Sequence, residues 1–411
     1  MKPATIFRIL TIILVLAVAT TATAVDYGLN VDSLSSIRGT DPSFRNRASL
    51  FIRSNPATRL DGPTFRWAIE GNLTNRIVPD GDGGFDSSFT PDLDLARAQI
   101  IAPNIGGNPI VLRATLGRFL FSDPTRLILV HPADGARLNL DLRAVTLQLS
   151  GAYTGLLAGQ NSGIAMTIDD SLDAADEDTY ASANRILFSA GVSGPDLIGR
   201  TSISTGFFGQ IDLRPDSSAL QKLNSYYSWL MFEGPVIQDL NYEVAVVGSL
   251  AQRFTTPDIT TADTELGLAT MARLRYFLGQ AGSSIITLEG LYGTPEGDTL
   301  GRFVPITPPS LNLLGRPSTP ADTSLLLLDY TLNPFAGRPG AIARSLQVSA
   351  YSAVRASGTP FQEGSYQSTE LGSRLTYRPF SDLGLRLWSA LLLPSDNDPE
   401  FRGRFELSLS L

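Results

Sequence analysis

The chain of 411 residues is 43% apolar and only 18% charged, with no cysteine and a single histidine, His131. That composition excludes disulfides, thiolate metal centres, cysteine nucleophiles and multi-histidine metal sites. A net charge of −8, with lysine only at Lys2 and Lys222, argues against nucleic-acid binding.

Residues 1–24 read as an address. Lys2 and Arg8 precede an apolar run from Ile9 to Ala19, and Ala22 and Ala24 then stand in an A-x-A arrangement. Charged, apolar and small residues in that order make a secretory signal peptide, cleaved after Ala24. The run is too short for a transmembrane helix, which needs about 20 residues. No later segment has 18 consecutive apolar residues, so residues 25–411 read as a single exported domain without such a helix. The destinations left are the periplasm, the medium, or the outer membrane as a β-barrel.

Along this domain the dominant pattern is period-two alternation, the mark of strands with two unlike faces. Phe65, Trp67, Ile69, Gly71 and Leu73 alternate with Arg66, Ala68, Glu70, Asn72 and Thr74. Thr369 to Arg378 and Arg404 to Leu411 do the same. The spacing predicts strands at 26–37, 44–53, 64–74, 93–101, 110–121, 136–142, 144–153, 184–193 and 200–211. It continues with 225–233, 240–251, 264–278, 283–293, 323–332, 344–355, 368–378, 383–393 and 402–411. Near residue 143 the phase flips, which fits a tight turn or a bulge. Most segments match the roughly 9–11 residues that a tilted strand needs to cross a hydrocarbon layer.

The connections add a second pattern. From residue 194 onward short ones (194–199, 234–239, 279–282, 379–382) alternate with longer ones (212–224, 252–263, 294–322, 356–367). Outer-membrane barrels have short periplasmic turns, longer outside loops and an even strand number. The expected fold is therefore all-β: a closed, transmembrane, up-and-down antiparallel β-barrel of 18 strands, with 16 possible and long extracellular loops. Soluble sandwiches and solenoids share the alternation but not the strand length or the turn asymmetry. Tyr226, Tyr227, Trp229, Phe207, Phe208, Tyr377 and Phe380 are placed for interfacial aromatic girdles.

Four features could carry chemistry. His131 stands near Asp134 and Ser122, but no nucleophile motif surrounds them, so it reads as a polar loop or rim residue and the chain as no enzyme. Asp80, Asp82 and Asp86 form a glycine-rich acidic loop that is a weak calcium candidate, lacking a full ligand set. Asp169, Asp170, Asp173, Asp176, Glu177 and Asp178 crowd one long connection; it is either a solvated loop or a constriction folded into the lumen. Pro305 to Pro320 is a proline-rich outside loop. No cofactor is implied.

The stretch Leu116-Gly-Arg-Phe-Leu-Phe-Ser-Asp-Pro-Thr-Arg126, followed by Asp134-Gly135-Ala136-Arg137-Leu138, resembles the early-barrel pattern of Gram-negative monomeric porins and alginate-export channels. The terminal strand resembles a barrel-assembly signal, although it ends in Leu411 and not in an aromatic residue. The resemblance implies the outer membrane as location. The partners expected there are membrane lipid, lipopolysaccharide, the barrel-assembly machinery and small hydrophilic solutes.

Sorting charges by strand phase puts Arg45, Arg47, Arg66, Arg113, Arg185, Arg273, Arg275, Arg355, Arg374, Arg378, Arg386 and Arg404 on the polar face. Only Glu70, Glu243, Glu265, Glu370 and Glu406 join them. Charges on a lipid face cost about 2–4 kcal/mol at the bilayer midplane, so these arginines should line the lumen. Rings of arginine favour anions. The function expected is a porin-like diffusion channel with weak anion preference. The alternative is a non-conducting barrel acting as an adhesin or a structural, surface-binding protein.

Overall fold

The computed structural model describes residues 25–410 except 39–40, 55–61, 80–83, 159–162, 165, 177–180, 182, 216–219, 256–257, 280–282, 296–300, 308–312, 314–322, 337–344 and 358–365. The expected signal peptide, 1–24, lies outside the described residues. Eighteen strands follow one another: β1 (Val25–Arg38), β2 (Asp41–Ser54), β3 (Thr64–Pro79), β4 (Phe85–Ala102), β5 (Val111–Ser122), β6 (Val130–Leu142), β7 (Val145–Tyr153), β8 (Arg185–Ile198) and β9 (Thr201–Asp212). Then come β10 (Gln221–Ile237), β11 (Leu240–Thr255), β12 (Asp258–Leu278), β13 (Ser284–Gly293), β14 (Thr323–Leu332), β15 (Gln347–Ser357), β16 (Tyr366–Phe380), β17 (Leu383–Pro394) and β18 (Glu400–Ser410). Each pairs antiparallel with its sequence neighbours, and β1 closes on β18 with Asn30 opposite Ser410. The sheet has no free edge, so its backbone hydrogen bonds are satisfied within the ring.

Helix is almost absent among the described residues: one 3-10 turn at Ile105–Gly107 and one helix, α1 (Ile168–Ala175), between β7 and β8. Among the described residues no helix is long and apolar enough to cross a membrane.

The sequence expectation holds for the strand count and for most boundaries. The phase flip at residue 143 is a two-residue turn. Leu142 lies directly opposite Val145, so both side chains share a face although three positions apart. β4 starts earlier than alternation indicates because a bulge at Asp94, where Glu70 pairs Leu95 and Gly71 pairs Leu93, shifts the period. β6 also starts early: Pro132 and Gly135 hide a strand that pairs with β5 from Val130 onward. The connection expected at 252–263 is instead mostly strand, since β11 runs to Thr255 and β12 begins at Asp258.

Alternating strand direction sorts the connections to two rims. The chain ends and the turns at 143–144, 199–200, 238–239 and 381–382 share one rim. The connections 154–184 and 294–322 belong to the other. A longer segment, 333–346, joins β14 to β15 at the rim of the termini.

The outward face is a belt of exposed apolar side chains, Leu116, Leu230, Leu326, Leu328, Phe401 and Phe405 among them. Such a belt is stable only against hydrocarbon. Leu230 sits mid-strand in β10, opposite Thr205 and Val246. Leu230→Arg should therefore weaken folding into lipid vesicles by about 2–4 kcal/mol. The check is a denaturant titration of the vesicle-bound barrel beside the wild type; an unchanged midpoint would contradict a lipid-facing belt.

Candidate pore lining and constriction

The interior of the barrel has two unlike halves. On one, inward positions of the strands are apolar and buried: Phe119 and Phe121 of β5, Leu187 of β8, Phe208 of β9, Tyr227, Trp229 and Met231 of β10, Val247 of β11, Met271 of β12, Leu327 of β14 and Tyr351 of β15. Phe208, Tyr227 and Trp229 are thus lumen residues and not girdle residues as expected, while their neighbours Phe207 and Tyr226 stack on the outer face. Alternation alone does not say which aromatic of an adjacent pair points inward.

Three connections turn into the barrel to cover this apolar half. Leu127, Ile128 and Leu129 come from 123–129, Ile164 from 154–184, and Phe303 and Ile306 from 294–322. The connections are bonded to one another and to the wall. The Ile306 and Thr307 amides donate to the Ile128 carbonyl at 2.9 and 3.2 Å. The Val130 amide donates to Thr307 Oγ1 at 2.9 Å, and the Tyr227 hydroxyl to the Val304 carbonyl at 2.6 Å.

Asp123 shapes the first connection. Its buried carboxylate accepts from the Leu129 amide at 2.8 Å, the Ile128 amide at 3.1 Å and the Thr125 hydroxyl. Burial raises this carboxyl above its ordinary range, and these hydrogen bonds pull it back.

The porin-like motif explains how that connection is anchored. Gly117 of β5 lies opposite Gly135 of β6. A Cβ on Gly117, whose φ is +108°, would meet the Ala96 carbonyl at 2.0 Å; one on Gly135 would meet the Gly151 carbonyl at 2.1 Å. The next pair, Arg118 and Asp134, forms a two-pronged ion pair at 2.9 and 2.7 Å. Pairing between β4 and β5 ends at Arg118, and its guanidinium fills the gap by donating to the carbonyls of Leu93 and Leu156, both at 2.8 Å. Arg137 lies over the rings of Phe119 and Phe121.

The acidic connection is held in the same manner. Thr167 caps α1 in a capping box with Asp170. Asp170 also receives Arg185 Nη2 at 2.7 Å, and Arg185 reaches Asp212 at 3.1 Å, Gln210 at 2.8 Å and the Leu223 carbonyl at 3.1 Å. Arg214 holds Asp169 and Asp170 at 3.5 and 3.4 Å and pairs with Asp173. Asp169 accepts the Leu220 and Gln221 amides as well. The described part of this connection is therefore folded inward, with Asp169, Asp170 and Asp173 engaged by Arg185 of the wall and Arg214 of the β9–β10 connection. Asp176 ends α1; Glu177 and Asp178 lie outside the described residues.

The other half of the interior is polar. Arg45, Arg47 and Arg53 of β2, Arg66 and Arg76 of β3, Arg374 and Arg378 of β16, Arg386 of β17 and Arg402 and Arg404 of β18 share the inward face by strand register. Arg45, Arg53, Arg76 and Arg378 are exposed although they point inward, so this side of the lumen is open to water. Pairing neutralises part of the wall: Arg47 with Asp94, Arg386 with Glu406 at 3.1 Å, and Arg374 with Asp329 at 3.8 Å. Trp388 of β17 lies between the guanidiniums of Arg374 and Arg404, 5.6 and 5.0 Å from its ring centre.

The remaining arginines of the phase analysis are placed as follows. Arg113 pairs with Asp141 on β6. Arg273 is gripped by Glu243 at 2.7 Å and Glu289 at 2.8 Å, with Arg275 at 3.6 Å from the same Glu243. Arg185 and Arg355 point inward but are buried, Arg185 under α1 and Arg355 beside Glu370 at 3.8 Å, so neither meets open lumen. Phase analysis missed Arg118, whose contacts depend on the parting of two strands, and Arg214, which lies in a connection. It also passed over Arg53, Arg76 and Arg402 at strand ends.

Of the calcium candidates, Asp80 and Asp82 lie outside the described residues, and Asp86 sits on β4 opposite Val78. Among the described residues no group of three or more acidic, histidine or cysteine side chains could hold a metal ion. His131 is not a rim residue: it lies within β6, opposite Phe121, and faces the lumen cavity bounded by Arg45, Arg47, Asp92, Leu157 and Ala158.

Comparison with solved structures identifies the class of barrel. The chain superposes on Pseudomonas aeruginosa OccK9 (OpdG) with TM-score 0.61 at 13% identity, covering 95% of this chain and 98% of that one. OccK2 (OpdF), solved in complex with glucuronate, gives 0.60 at 12% identity over 94% and 98%. OccK5 (OpdH) gives 0.58 at 12% identity over 94% and 98%. The chain thus has the closed 18-stranded antiparallel barrel fold of these structures over nearly its whole length. These structures lend nothing specific to the alginate-export likeness of the short motif. No family model matches the sequence, and no curated protein matches it.

Arg185 tests how the α1 connection is held. Removing one partner of a buried ion network leaves uncompensated charge and costs about 3–5 kcal/mol. Arg185→Met should release α1 from the wall, seen as new proteolysis within 168–175 of an otherwise intact barrel. An unchanged digest would show that the Arg214 contacts suffice.

Proposed function

We propose that this protein is an outer-membrane channel of the porin type, through which small hydrophilic solutes diffuse passively with a weak preference for anions. One observation carries the reading. Inward-facing arginines of β2, β3 and β16 stay exposed along the side of the barrel that the inward connections leave open. A solute crossing there moves along a cationic wall, even though the chain as a whole is acidic.

Guanidinium groups hold carboxylates and phosphates with a two-pronged fork and keep their charge at any working pH. OccK2 was solved with glucuronate, an anionic sugar, which supports small anionic solutes for this chain too. Arg273, tied between two glutamates, contributes little to the preference; Arg45 and Arg378, exposed on the inward face, contribute most. In this reading residues 1–24 direct export, lipid and lipopolysaccharide surround the apolar belt, and the barrel-assembly machinery inserts the chain. No reaction, cofactor or nucleic acid is involved. A barrel built for adhesion would present its long connections to the outside. Here Ile164, Phe303 and Ile306 of those connections are buried inside, which favours the channel.

The test is single-channel recording in planar bilayers under a KCl gradient. The expected reversal potential shows chloride modestly more permeant than potassium, and Arg45→Gln with Arg378→Gln should move it toward zero. Clear cation preference would overturn the anion reading, and silence across well-inserted samples would favour a surface-binding barrel. The orientation is checked on whole cells. External protease should cut within 154–184 or 294–322 and spare the turns at 238–239 and 381–382; the reverse pattern would invert the topology.

A further inference from the structure

His131 makes two contacts that fix its protonation state. Its Nδ1 lies 2.7 Å from the Pro132 carbonyl, which can only accept, so Nδ1 carries the proton. Nε2 then holds a lone pair, and it accepts the Gly163 amide at 3.1 Å. Gly163 belongs to the inward connection 154–184 and adjoins Ile164, which is packed in the intraluminal apolar cluster. An imidazolium carries N–H on both nitrogens, so protonation would set Nε2–H against the Gly163 N–H, donor against donor.

We propose that His131 is a pH-sensitive latch: its neutral ring holds the Gly163 segment to the barrel wall, and protonation breaks that hold and disturbs the current through the lumen. This rests on the channel reading above. The other described contacts of the connection do not depend on an imidazole. Arg185 and Arg214 hold its α1 half through aspartates, and Arg118 holds the Leu156 carbonyl. The response to acid is therefore confined to the Gly163 side.

The charged groups facing His131 leave it free to act this way. Around the shared cavity of about 230 Å³ stand Arg45 and Arg47 of β2 and Asp92 and Asp94 of β4. Arg118 of β5 approaches Asp92 at 3.5 Å and holds Asp134, the charged neighbour on β6 itself. Arg47 pairs with Asp94. Among the described residues, the connection presents Leu157, Ala158 and Gly163 to this side. The acids of the cavity are thus already engaged by arginines, and His131 is the one imidazole of the chain available to respond to acid.

Single-channel recordings between about pH 7.5 and pH 5, the range over which an imidazole titrates, test the latch. Wild type should conduct quietly at the upper end and show several-fold more brief interruptions at the lower. His131→Gln, whose side-chain oxygen can still accept the Gly163 amide, should stay quiet throughout. Gly163→Pro, which removes the donor and leaves the histidine, should be noisy at both ends and insensitive to pH. A wild type indifferent to pH would overturn the latch while leaving the channel reading intact. So would His131→Gln responding as the wild type does, since acid would then act through the carboxylates. Absence of conducting steps at pH 7.5 would overturn the channel reading and the latch with it.

Discussion

Closure of β1 on β18 is the constraint from which the rest of the molecule follows. Once the sheet is a ring, every strand has one face outside and one inside, and side chains obey a period of two all the way round. The outer face becomes apolar because nothing in the chain covers it. The inner face is set by a different problem. A ring of about 8 strands is filled by its own side chains, whereas one of 18 is too wide for that. Its interior must hold either water or more chain, and here it holds both.

The division of the lumen follows from which strands carry apolar inward residues. From β8 to β15 these residues demand cover, and the connections 123–129, 154–184 and 294–322 supply it with Ile128, Ile164, Phe303 and Ile306. Chain brought into a barrel carries backbone polar groups with it, and these need partners. Buried side chains provide them: Asp123 for its own connection, Tyr227 for Val304, Thr307 for Val130. Across the lumen the arginines of β2, β3 and β16–β18 need solvent or counter-charge, and Arg45, Arg53, Arg76 and Arg378 remain exposed there. The inward connections and the exposed arginine wall are therefore two consequences of one asymmetry in the inward-facing sequence.

Much of this was legible in the sequence, and the reasons for the rest are specific. Strand number and most strand boundaries are local properties, readable from alternation. The lumen-side placement of Tyr227 and Trp229 was not, because an aromatic on a strand looks the same facing lipid or facing an inward loop. The acidic run 169–178 posed two readings, solvated loop or constriction. What decides its position is Arg185, 15 residues beyond Asp170, and Arg214, 41 beyond Asp173, both invisible to a local window. His131 was read as a rim residue because Pro132 and Gly135 masked the strand that contains it.

The short motif that resembled distant porins is best understood as a foundation and not as a filter. Gly117 and Gly135 face each other across β5 and β6 where neighbouring carbonyls leave no room for a Cβ. That close approach lets Arg118 and Asp134 pair squarely at the level where β4 parts from β5. Arg118 then carries the start of 154–184, and Asp123, five residues on, folds 123–129 into the lumen. None of these residues has to touch a solute. A pattern built this way constrains the architecture of the constriction while leaving the arginine wall free to vary.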